Sequence, residues 1–567
     1  LNTTAHNLSN VNTEGYTRQQ ITFADSTYAN VFSKSLNKGK YGLGVDIDAI
    51  SRIRNEFIDR SYRTESSRLG FYESQANAVY EVEDWFGEMQ GVTYQQHITN
   101  LYNAVNELTK NPTSTIARSS LIQNATAFID RSEAIYSGLK DYQVTLNTEV
   151  NNMVEKINSL GQKIYNLNKG IVKVEAEGVE RANDLRDSRD LALDELSKYI
   201  DIDYYETKDG EVIVSAENVP FITKNDIAKM SVREEGTYGL LIPQWEGYQQ
   251  DVYNFDKQAN NANDTDKGKL KGLLIARGVI EVNYTDIPVM PERADYDLTT
   301  EQGMAEYNSA MDAYQQKQDY YNKYIEPSAI LSAIAGFDKL VNGIVTAMND
   351  VLCPETTMDT TKELTDADGN ILKAEKYVYN ASTHDVLYDS HGNVVAGKEN
   401  GDGTYSYEAS EKLYVDANQE ETENIDSMTY KILDMSKAGY GMDDDETRGV
   451  ELFKRNGTDR YKQITGADGS TIYVRNNLNV TGFETDYTLG NLIVNPEASQ
   501  NVGTLPLSTE HGKEDFSKVN ELIDTFSKKF ASLNPENYAK ADFNTFYNDY
   551  IGEFATMGSV LTKYVNN

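Results

Sequence analysis

Residue types that support catalysis or metal binding occur in this 567-residue chain, but their spacing does not assemble a site. The five histidines are scattered, without the four-residue spacing of a helical zinc pair: His6, His97, His384, His391 and His511. Residues 366–370 (DADGN) resemble half a calcium loop, but Ile371 and Tyr377 stand where an EF-hand needs glycine and glutamate. We therefore predict a plain turn there, and no enzyme, metal or cofactor.

Three further features have ordinary explanations. Cys353 is the single cysteine, which excludes an intramolecular disulfide, and it closes an apolar helical stretch as a small hydrophobic residue would. Residues 39–44 (GKYGLG) lack the strand–helix context that binds phosphate, and residues 443–446 (DDDE) fit a solvated acidic loop.

The charge balance narrows the class of partner. The 89 Asp and Glu residues against 53 Lys and Arg give a net charge of −36. Such a chain repels polyphosphates and anionic membranes, so we predict no nucleic-acid or membrane binding. No apolar run approaches the roughly 20 residues that span a bilayer, and no secretory leader opens the chain. The first residue is leucine, which suggests that the natural start lies upstream.

The first third of the chain has the periodicity of long helices. One helical pattern ends at Asn111-Pro112, and Thr113–Thr115 offers caps for the next. The strongest pattern is a seam of alternating steps of three and four residues, which predicts a long helix packed along a partner helix in a bundle or in a neighbouring subunit. Its members are Leu146, Val150, Met153, Ile157, Leu160, Ile164 and Leu167, continuing to Ile171 and Val174.

Later segments alternate between strand and helix patterns. Residues 201–267 form a β-rich unit with a hairpin at Asp209-Gly210, and residues 356–495 read as a β-rich surface insertion with turns at 368–370, 391–393, 402–403 and 468–470. Helical patterns return at 302–322 and 330–348. Two C-terminal seams follow, one from Phe516 to Leu533 and another that contains Tyr547, Phe554 and Leu561.

We therefore predict a multidomain α plus β fold. The N- and C-terminal segments form one long antiparallel helical bundle, because the middle of the chain is mostly sheet. The predicted helical part comprises residues 1–200, 268–355 and 496–567, with the two β-rich parts inserted between them. Each seam residue contributes about 1.5–3 kcal/mol on full burial.

Residues 7–18 (NLSNVNTEGYTR) resemble the sequence shared by the axial proteins of the bacterial flagellum. An amphipathic helix end runs into an Asn-rich turn, in which Gly15 permits a positive φ. We expect the side chains important for assembly to come from this bend: Asn7, Asn10, Asn12, Gly15, Tyr16 and Arg18.

Four more stretches are similar to the flagellar hook-associated protein 1 family. They are residues 42–63, 183–198, 269–277 and 492–497. The resemblance covers the helical framework, about residues 1–200, 268–353 and 490–567, and not the insertion. A hook protein would be mostly sheet, and flagellin would lack the bend. In this family the protein is an adaptor that joins the hook to the filament.

The resemblance also implies partners and a location. A family member is secreted through the flagellar export channel and forms a ring with copies of itself, between hook protein and a second hook-associated junction protein. The terminal helices of the family, of which the C-terminal one would meet an export chaperone, are missing before Leu1 and after Asn567. We therefore expect this chain to be a soluble monomer.

An alternative remains for the insertion. Its Tyr-rich strands would also suit a surface module for adhesion or glycan binding, although exposed tyrosines on a sheet commonly pack across strands. The sequence leaves both functions open.

Overall fold

The structure is a computed structural model. It describes residues 2–26, 29–31, 39–87, 93–176, 181–236, 239–255, 259, 261–360, 364–366, 369, 372, 375–376, 398–399, 405–406, 428–466, 469–476, 486–533, 535 and 539–566. The predicted turns at 391–393 and 402–403, residues 377–379 of one predicted strand, and His384 and His391 lie outside the described residues.

The described residues up to 280 form six α-helices and ten strands. In chain order these are α1 (Asn2–Ser9), β1 (Gln19–Asp25), β2 (Ala29–Val31), β3 (Gly39–Tyr41), β4 (Val45–Arg52), α2 (Glu56–Phe86), α3 (Tyr94–Leu108), α4 (Thr115–Glu175), α5 (Asn183–Tyr199), β5 (Ile202–Glu206), β6 (Val212–Ala216), β7 (Val219–Ile222), β8 (Met230–Glu235), β9 (Leu240–Trp245), β10 (Gln250–Asp251) and α6 (Lys269–Arg277).

The described residues after 280 form a second series of elements. These are α7 (Glu301–Tyr320), a π-helical turn (Tyr321–Ile325), α8 (Ala329–Leu352), β11 (Glu355–Thr360), β12 (Glu375–Lys376), β13 (Lys398–Glu399), β14 (Tyr405–Ser406), β15 (Met428–Leu433), β16 (Phe453–Arg455), β17 (Tyr461–Thr465), β18 (Thr471–Arg475), β19 (Leu492–Val494), α9 (Pro496–Gln500), β20 (Ser508–Thr509), β21 (Lys513–Glu514), α10 (Phe516–Ser527) and α11 (Phe543–Asn566).

The predicted α plus β multidomain class is confirmed, and the long helix α4 suits a bundle. The break at Asn111-Pro112 separates α3 from α4, and the Ser114 hydroxyl caps α4 by accepting from the Ala117 amide at 3.3 Å. Two predicted helical runs, one ending at Leu139 and one beginning at Leu146, merge into this one helix of 61 residues, since residues 140–145 between them contain no Gly or Pro.

Two sequence expectations were wrong. The seam from Phe516 to Leu533 is helical only to Ser527, because the Phe530 amide instead donates to the Ala541 carbonyl at 3.0 Å and Ala531 bridges Ala541. Helix α8 is apolar and long enough to cross a membrane by length and composition, contrary to the expected absence of such a run. However, 78% of its most apolar window is buried inside the protein, as in a core helix.

The sheets are small and antiparallel. Strands β5-β6-β7 and β10-β9-β8 form two three-stranded sheets, with the β5–β6 hairpin closing at the predicted Asp209-Gly210. The largest sheet has the order β11-β15-β18-β17, with β12 also paired to β15. Gly469 and Ser470 of the predicted turn lie between β17 and β18, and the Gly469 amide donates to the Gly466 carbonyl at 2.9 Å. The strands β1 and β4 form a two-stranded sheet that the sequence reading missed.

The chain divides into two compact units. The first comprises Leu1–Val79, Gln143–Ile280 and Met557–Asn567, and the second comprises Tyr80–Tyr142 and Glu281–Thr556. Each contains segments from the N-terminal third and from the C-terminal end of the sequence. The separate prediction of a helical part with two β-rich insertions stays a prediction.

Candidate functional site

Asn7 fixes the N-terminal bend by binding the backbone at the start of β1. Its side-chain amide donates to the Gln19 carbonyl and its oxygen accepts from the Gln19 amide, both at 2.9 Å. The Tyr16 hydroxyl donates to the same Asn7 oxygen at 2.7 Å. An asparagine suits this place because one side chain supplies both a donor and an acceptor. The bend therefore closes on Asn7.

The other predicted bend residues divide into two groups. Asn10 donates to the His6 carbonyl at 3.1 Å, and Gly15 has φ of 78° and lies so close to Leu191 that an added Cβ would meet it at 3.1 Å. Glycine is thus required at 15 for both backbone conformation and space. The side chains of Asn12 and Arg18 are exposed, and Arg18 contributes to the bend through its backbone carbonyl, which accepts from the Ile53 amide at 2.9 Å. The predicted role of both residues in assembly stays a prediction.

The acidic face of helix α5 contacts the N-terminal bend. Asp187, Asp190 and Asp194 lie three and four residues apart, which places them on one side of the helix. Asp187 accepts from the Thr17 amide at 3.1 Å and pairs with Arg52 of β4 at 2.7 Å. The Asp187 carboxylate thus binds both the backbone of the bend and the Arg52 side chain of β4.

Two further arginines complete this ion network. Arg52 also contacts Asp190 at 2.7 Å, and the buried Arg63 of α2 contacts Asp194 at 2.7 Å. Arg54 reaches Asp190 at 3.4 Å. Burial opposes ionisation of Asp190, but the charges of Arg54 and Arg52 outweigh it and lower the pKa of that carboxyl. Buried paired charges of this kind are costly to break singly.

The corner between α4 and α5 is fixed by a second charged pair. The Arg186 guanidinium binds the Glu175 carboxylate through two bonds of 2.8 Å, and Glu175 also accepts from the Ala182 amide at 2.9 Å. The bonds from Arg186 lower the pKa of Glu175 to about 2. The pair therefore stays ionised at physiological pH and holds the start of α5 against the end of α4.

The predicted seam of α4 is buried in the first unit. The predicted partner was another helix, whereas residues of the β-rich segment also bind α4. Leu146, Val150, Met153, Ile157, Leu160 and Ile164 are buried, and Leu167 is half-buried. Asn147, Asn158 and Asn168 on the same helix bind the backbones of Leu241, Met230 and Val212, each at 2.8 Å. Gly161 leaves room for Phe221, whose ring would lie 2.5 Å from an added Cβ.

The predicted C-terminal seam residues Tyr547, Phe554 and Leu561 are buried in α11. In the second unit, Phe86 at the end of α2 packs edge-on against Phe337 at 5.2 Å and Tyr550 at 5.4 Å between ring centroids. In the first unit, Tyr72 of α2 stacks on Tyr564 of α11 at 4.5 Å. N-terminal and C-terminal helices thus pack together within each unit.

Two of the described histidines, His6 and His511, have local partners. His6 lies 3.0 Å from the Tyr16 hydroxyl, and His511 lies 3.3 Å from Glu446. Asp366, the first residue of the calcium-like stretch, pairs with Lys462 at 3.5 Å. Within the residues that the structure describes, no group of three or more His, Cys, Asp or Glu side chains is placed to hold a metal ion.

Sequence reasoning missed the arginines of this site and the β1–β4 sheet, whose second strand ends at Arg52. Arg52, Arg54 and Arg63 are separated from their aspartates by more than 125 residues, a separation visible from the Arg63–Asp190 hydrogen bond of span 127. The spacing of Asp187, Asp190 and Asp194 on a helix was the available signal, because a one-sided row of acids on a packed helix requires cations opposite.

Comparisons with known proteins show which proteins the chain is similar to. Residues 79–310 match the family model described as the flagellar hook-associated protein FlgK helical domain. This match includes residues 201–267, which the sequence reading had placed outside the resemblance. The chain is 30% identical over 303 residues to flagellar hook-associated protein 1 of Bacillus subtilis strain 168, covering 52% of this chain and 60% of that protein.

More distant relatives carry the same name. Flagellar hook-associated protein 1 of Salmonella typhimurium strain LT2 is 24% identical over 205 residues, and that of Escherichia coli K12 is 26% identical over 211, each covering 36% of both chains. A solved structure, the flagellar hook junction protein FlgK from Burkholderia pseudomallei, aligns at a TM-score of 0.45 and 12% identity over 89% of this chain and 97% of that one.

In its matched helical segment and over 303 aligned residues, this chain is similar to flagellar hook-associated protein 1. The matched region spans 60% of the Bacillus relative and about a third of the others. The resemblance to flagellar hook-associated protein 1 is confirmed by the match of residues 79–310 to the model of its helical domain.

Proposed function

We propose that this protein is a structural adaptor that joins the hook of the bacterial flagellum to the filament and is required for filament assembly. The match of residues 79–310 to the FlgK helical domain carries this proposal. Catalysis has no part in it. The work of the molecule is geometric: it presents fixed surfaces to neighbouring subunits.

The rigidity of the N-terminal bend supports a geometric role. Asn7 at the end of α1 binds the backbone of Gln19 at the start of β1, and Asp187 of α5 accepts from the Thr17 amide just before β1. A change of angle between α1 and β1 would break these bonds together. The bend therefore holds α1 and β1 at a fixed angle. An adaptor between two different assemblies needs such a fixed element.

The proposed partners are further copies of the chain in a ring, hook protein, the second hook-associated junction protein, and an export chaperone that binds a C-terminal helix. The proposed location is the extracellular flagellum, reached through the flagellar export channel. The single cysteine supports export in an unfolded state, because Cys353 has no second cysteine in the chain with which to form a crosslink. The predicted bundle-seam and bend residues are proposed as the assembly elements.

Deletion of the gene tests the proposal. We expect hooks of normal length, filament subunits released into the medium, and no filaments. Complementation with the full gene should restore filaments, and an antibody against this protein should label the hook–filament boundary. Normal filaments in the deletion strain, or label elsewhere on the flagellum, would refute the junction role.

The adhesion alternative for residues 356–495 receives no support from the comparisons. The matched helical domain ends at residue 310, before that segment begins. We therefore do not propose a binding function for the insertion.

A further inference from the structure

Three Asn-Gly pairs occur in the sequence, at residues 342–343, 400–401 and 456–457. In such a pair the backbone nitrogen of the second residue can attack the side-chain amide of the first, and glycine has no Cβ to obstruct the approach. The pairs at 342–343 and 456–457 lie in the described part of the chain, and both belong to the second unit. Their surroundings are very different.

Asn456 and Gly457 form the exposed tip of a turn. The Thr458 amide donates to the Arg455 carbonyl at 3.2 Å, and Gly457, the third residue of the turn, has φ of 73°, as in a type II turn. Both tip residues are exposed, and a Cβ added at Gly457 would have no heavy atom beyond its chain neighbours within 4 Å. Among the described residues, none bonds the Asn456 side chain or accepts from the Gly457 amide.

Asn342 and Gly343 are held inside helix α8. The Asn342 side chain donates to the Asp486 carbonyl at 2.9 Å, and a Cβ added at Gly343 would lie 2.5 Å from the Phe530 ring. The pair lies in the middle of a helix of 24 residues, in which the backbone amides bond to the carbonyls four residues earlier. A reaction between Asn342 and the Gly343 nitrogen therefore requires this helix to open.

The reaction at Asn456 needs no reagent other than water. The Gly457 nitrogen loses its proton to hydroxide and bonds to the Asn456 Cγ, while the bond from Cγ to the side-chain nitrogen breaks and that nitrogen leaves as ammonia. The product is a cyclic succinimide. Water then opens the ring at one of its two carbonyls, which gives aspartate or isoaspartate. In isoaspartate the main chain passes through the side-chain carbons, so the turn contains an additional methylene.

We propose that Asn456 is a site of spontaneous deamidation in this protein, and that the fold protects the same dipeptide in α8. Ring closure at Asn456 requires rotation about its Cα–C bond, which breaks the exposed hydrogen bond between Thr458 and Arg455. One such bond slows a reaction by less than about tenfold, whereas opening the middle of a core helix is far more costly. This inference does not rest on the proposed function.

The reaction would alter the connection between the turn and its sheet. Asn456 directly follows β16, and its amide donates to the Asn491 carbonyl at 2.9 Å beside the β16–β19 pair. The main chain of isoaspartate is longer, so it cannot keep the Thr458 amide at its present distance from the Arg455 carbonyl. We therefore expect the isoaspartate product to lose the hydrogen bond of the turn and the aspartate product to keep it.

Ageing of the purified chain at mildly alkaline pH tests the site. Mass spectrometry of peptides follows the conversion of amide to acid at each pair, and an isoaspartate methyltransferase marks the isoaspartate product. On denaturation, we expect the rate at Asn456 to rise by less than about tenfold and the rate at Asn342 by more than about 100-fold. The proposal would be overturned if Asn456 reacted no faster than Asn342 in the folded protein, or if denaturation accelerated both pairs equally.

Two variants separate the steps of the argument. Asn456→Gln is the matched control, because it keeps the amide but would have to close a less favourable six-membered ring, so it should remain unconverted over the same period. Conversion of N456Q at the rate of the natural protein would overturn the ring mechanism.

Asn456→Asp, measured when freshly purified, carries the new charge without the longer main chain. Its Thr458 amide should keep its protection from hydrogen exchange, whereas the isoaspartate form of the aged protein should lose it. Equal protection in the two forms would overturn the expected change in the turn.

Discussion

Asn7→Ala should loosen the N-terminal bend without unfolding the protein. The change removes three hydrogen bonds, at 2.9, 2.9 and 2.7 Å, that Asn7 makes with Gln19 and Tyr16. A hydrogen bond of this kind contributes about 1 kcal/mol net, so the closed bend should lose about 2–3 kcal/mol. Since 1.4 kcal/mol is tenfold, local opening should rise about 30- to 150-fold.

Hydrogen exchange measures this opening directly. The Ile53 amide donates to the Arg18 carbonyl at 2.9 Å and does not touch Asn7, so its exchange reports the opening of the bend rather than the loss of one partner. We expect the Ile53 amide to lose protection in N7A, while amides of α8 in the second unit keep theirs. Asn7→Asp, which keeps the acceptor and loses the donor, should give an intermediate loss.

Asn12→Ala is the matched control, because Asn12 lies in the same turn and is exposed. If N12A and N7A changed Ile53 protection equally, the bend would not depend on the Asn7 bonds, and the argument for a rigid angle would fail. In cells, the N7A protein should be exported but should support less filament assembly. Any effect of N12A on filaments should occur without a change in the stability of the bend.

Three further predictions concern packing, a buried cation and pH. Gly272→Ala in α6 should destabilise the first unit by about 1–3 kcal/mol in thermal unfolding, because the added Cβ would lie 2.4 Å from the Phe71 carbonyl oxygen, whereas Gly552→Ala, with open space, should not destabilise. Arg118→Met should expose residues 502–508 to hydrogen exchange, because the fully buried guanidinium donates to the carbonyls of Gly503 and Leu505 and to the Ser508 hydroxyl; unchanged protection would contradict this. Burial, aided by Asp201, raises the pKa of Glu217 to about 7 against the opposing charges of Lys271 and Lys267. A carboxyl whose pKa is higher in the folded than in the unfolded protein stabilises the fold at low pH, and this stabilisation is lost as the pH rises from the unfolded-state pKa to about 7. Glu217→Gln should therefore flatten this part of a plot of unfolding free energy, measured with denaturant, against pH. An unchanged slope would contradict the assignment.

Helix periodicity and breakers were sufficient to predict most helices of this protein. Pro112 ended one helical pattern and Ser114 began another, as the structure has them. The same reasoning failed where spacing alone continued past the end of α10. Phe530 kept the seam spacing, but it packs on Phe543 at 4.7 Å from outside the helix. A side chain can fill a helical position in a core without belonging to the helix.

The partner of a seam could not be predicted from its period. The seam of α4 indicated a neighbouring helix. However, three asparagines of α4 bind the backbone of strands or of residues beside them: Asn147, Asn158 and Asn168. An apolar face is compatible with any apolar surface. The asparagines were the missed signal, because a side-chain amide next to a buried seam needs backbone groups that a helix partner has already used.

Ion pairs between the end of α8 and the strands of the insertion join residues that are far apart in the sequence. Arg460 is 3% exposed and contacts Glu355 at 2.9 Å and Asp350 at 3.0 Å, residues more than 100 positions earlier in the chain. Arg475 contacts the same Glu355 at 3.2 Å. Each arginine would be too costly to bury alone, and each acid lies where α8 ends and the insertion begins. The strands β17 and β18 are therefore tied to the end of α8 by their charges as well as by their sheet. A residue pair of this kind becomes predictable only after the topology has brought both members to one place.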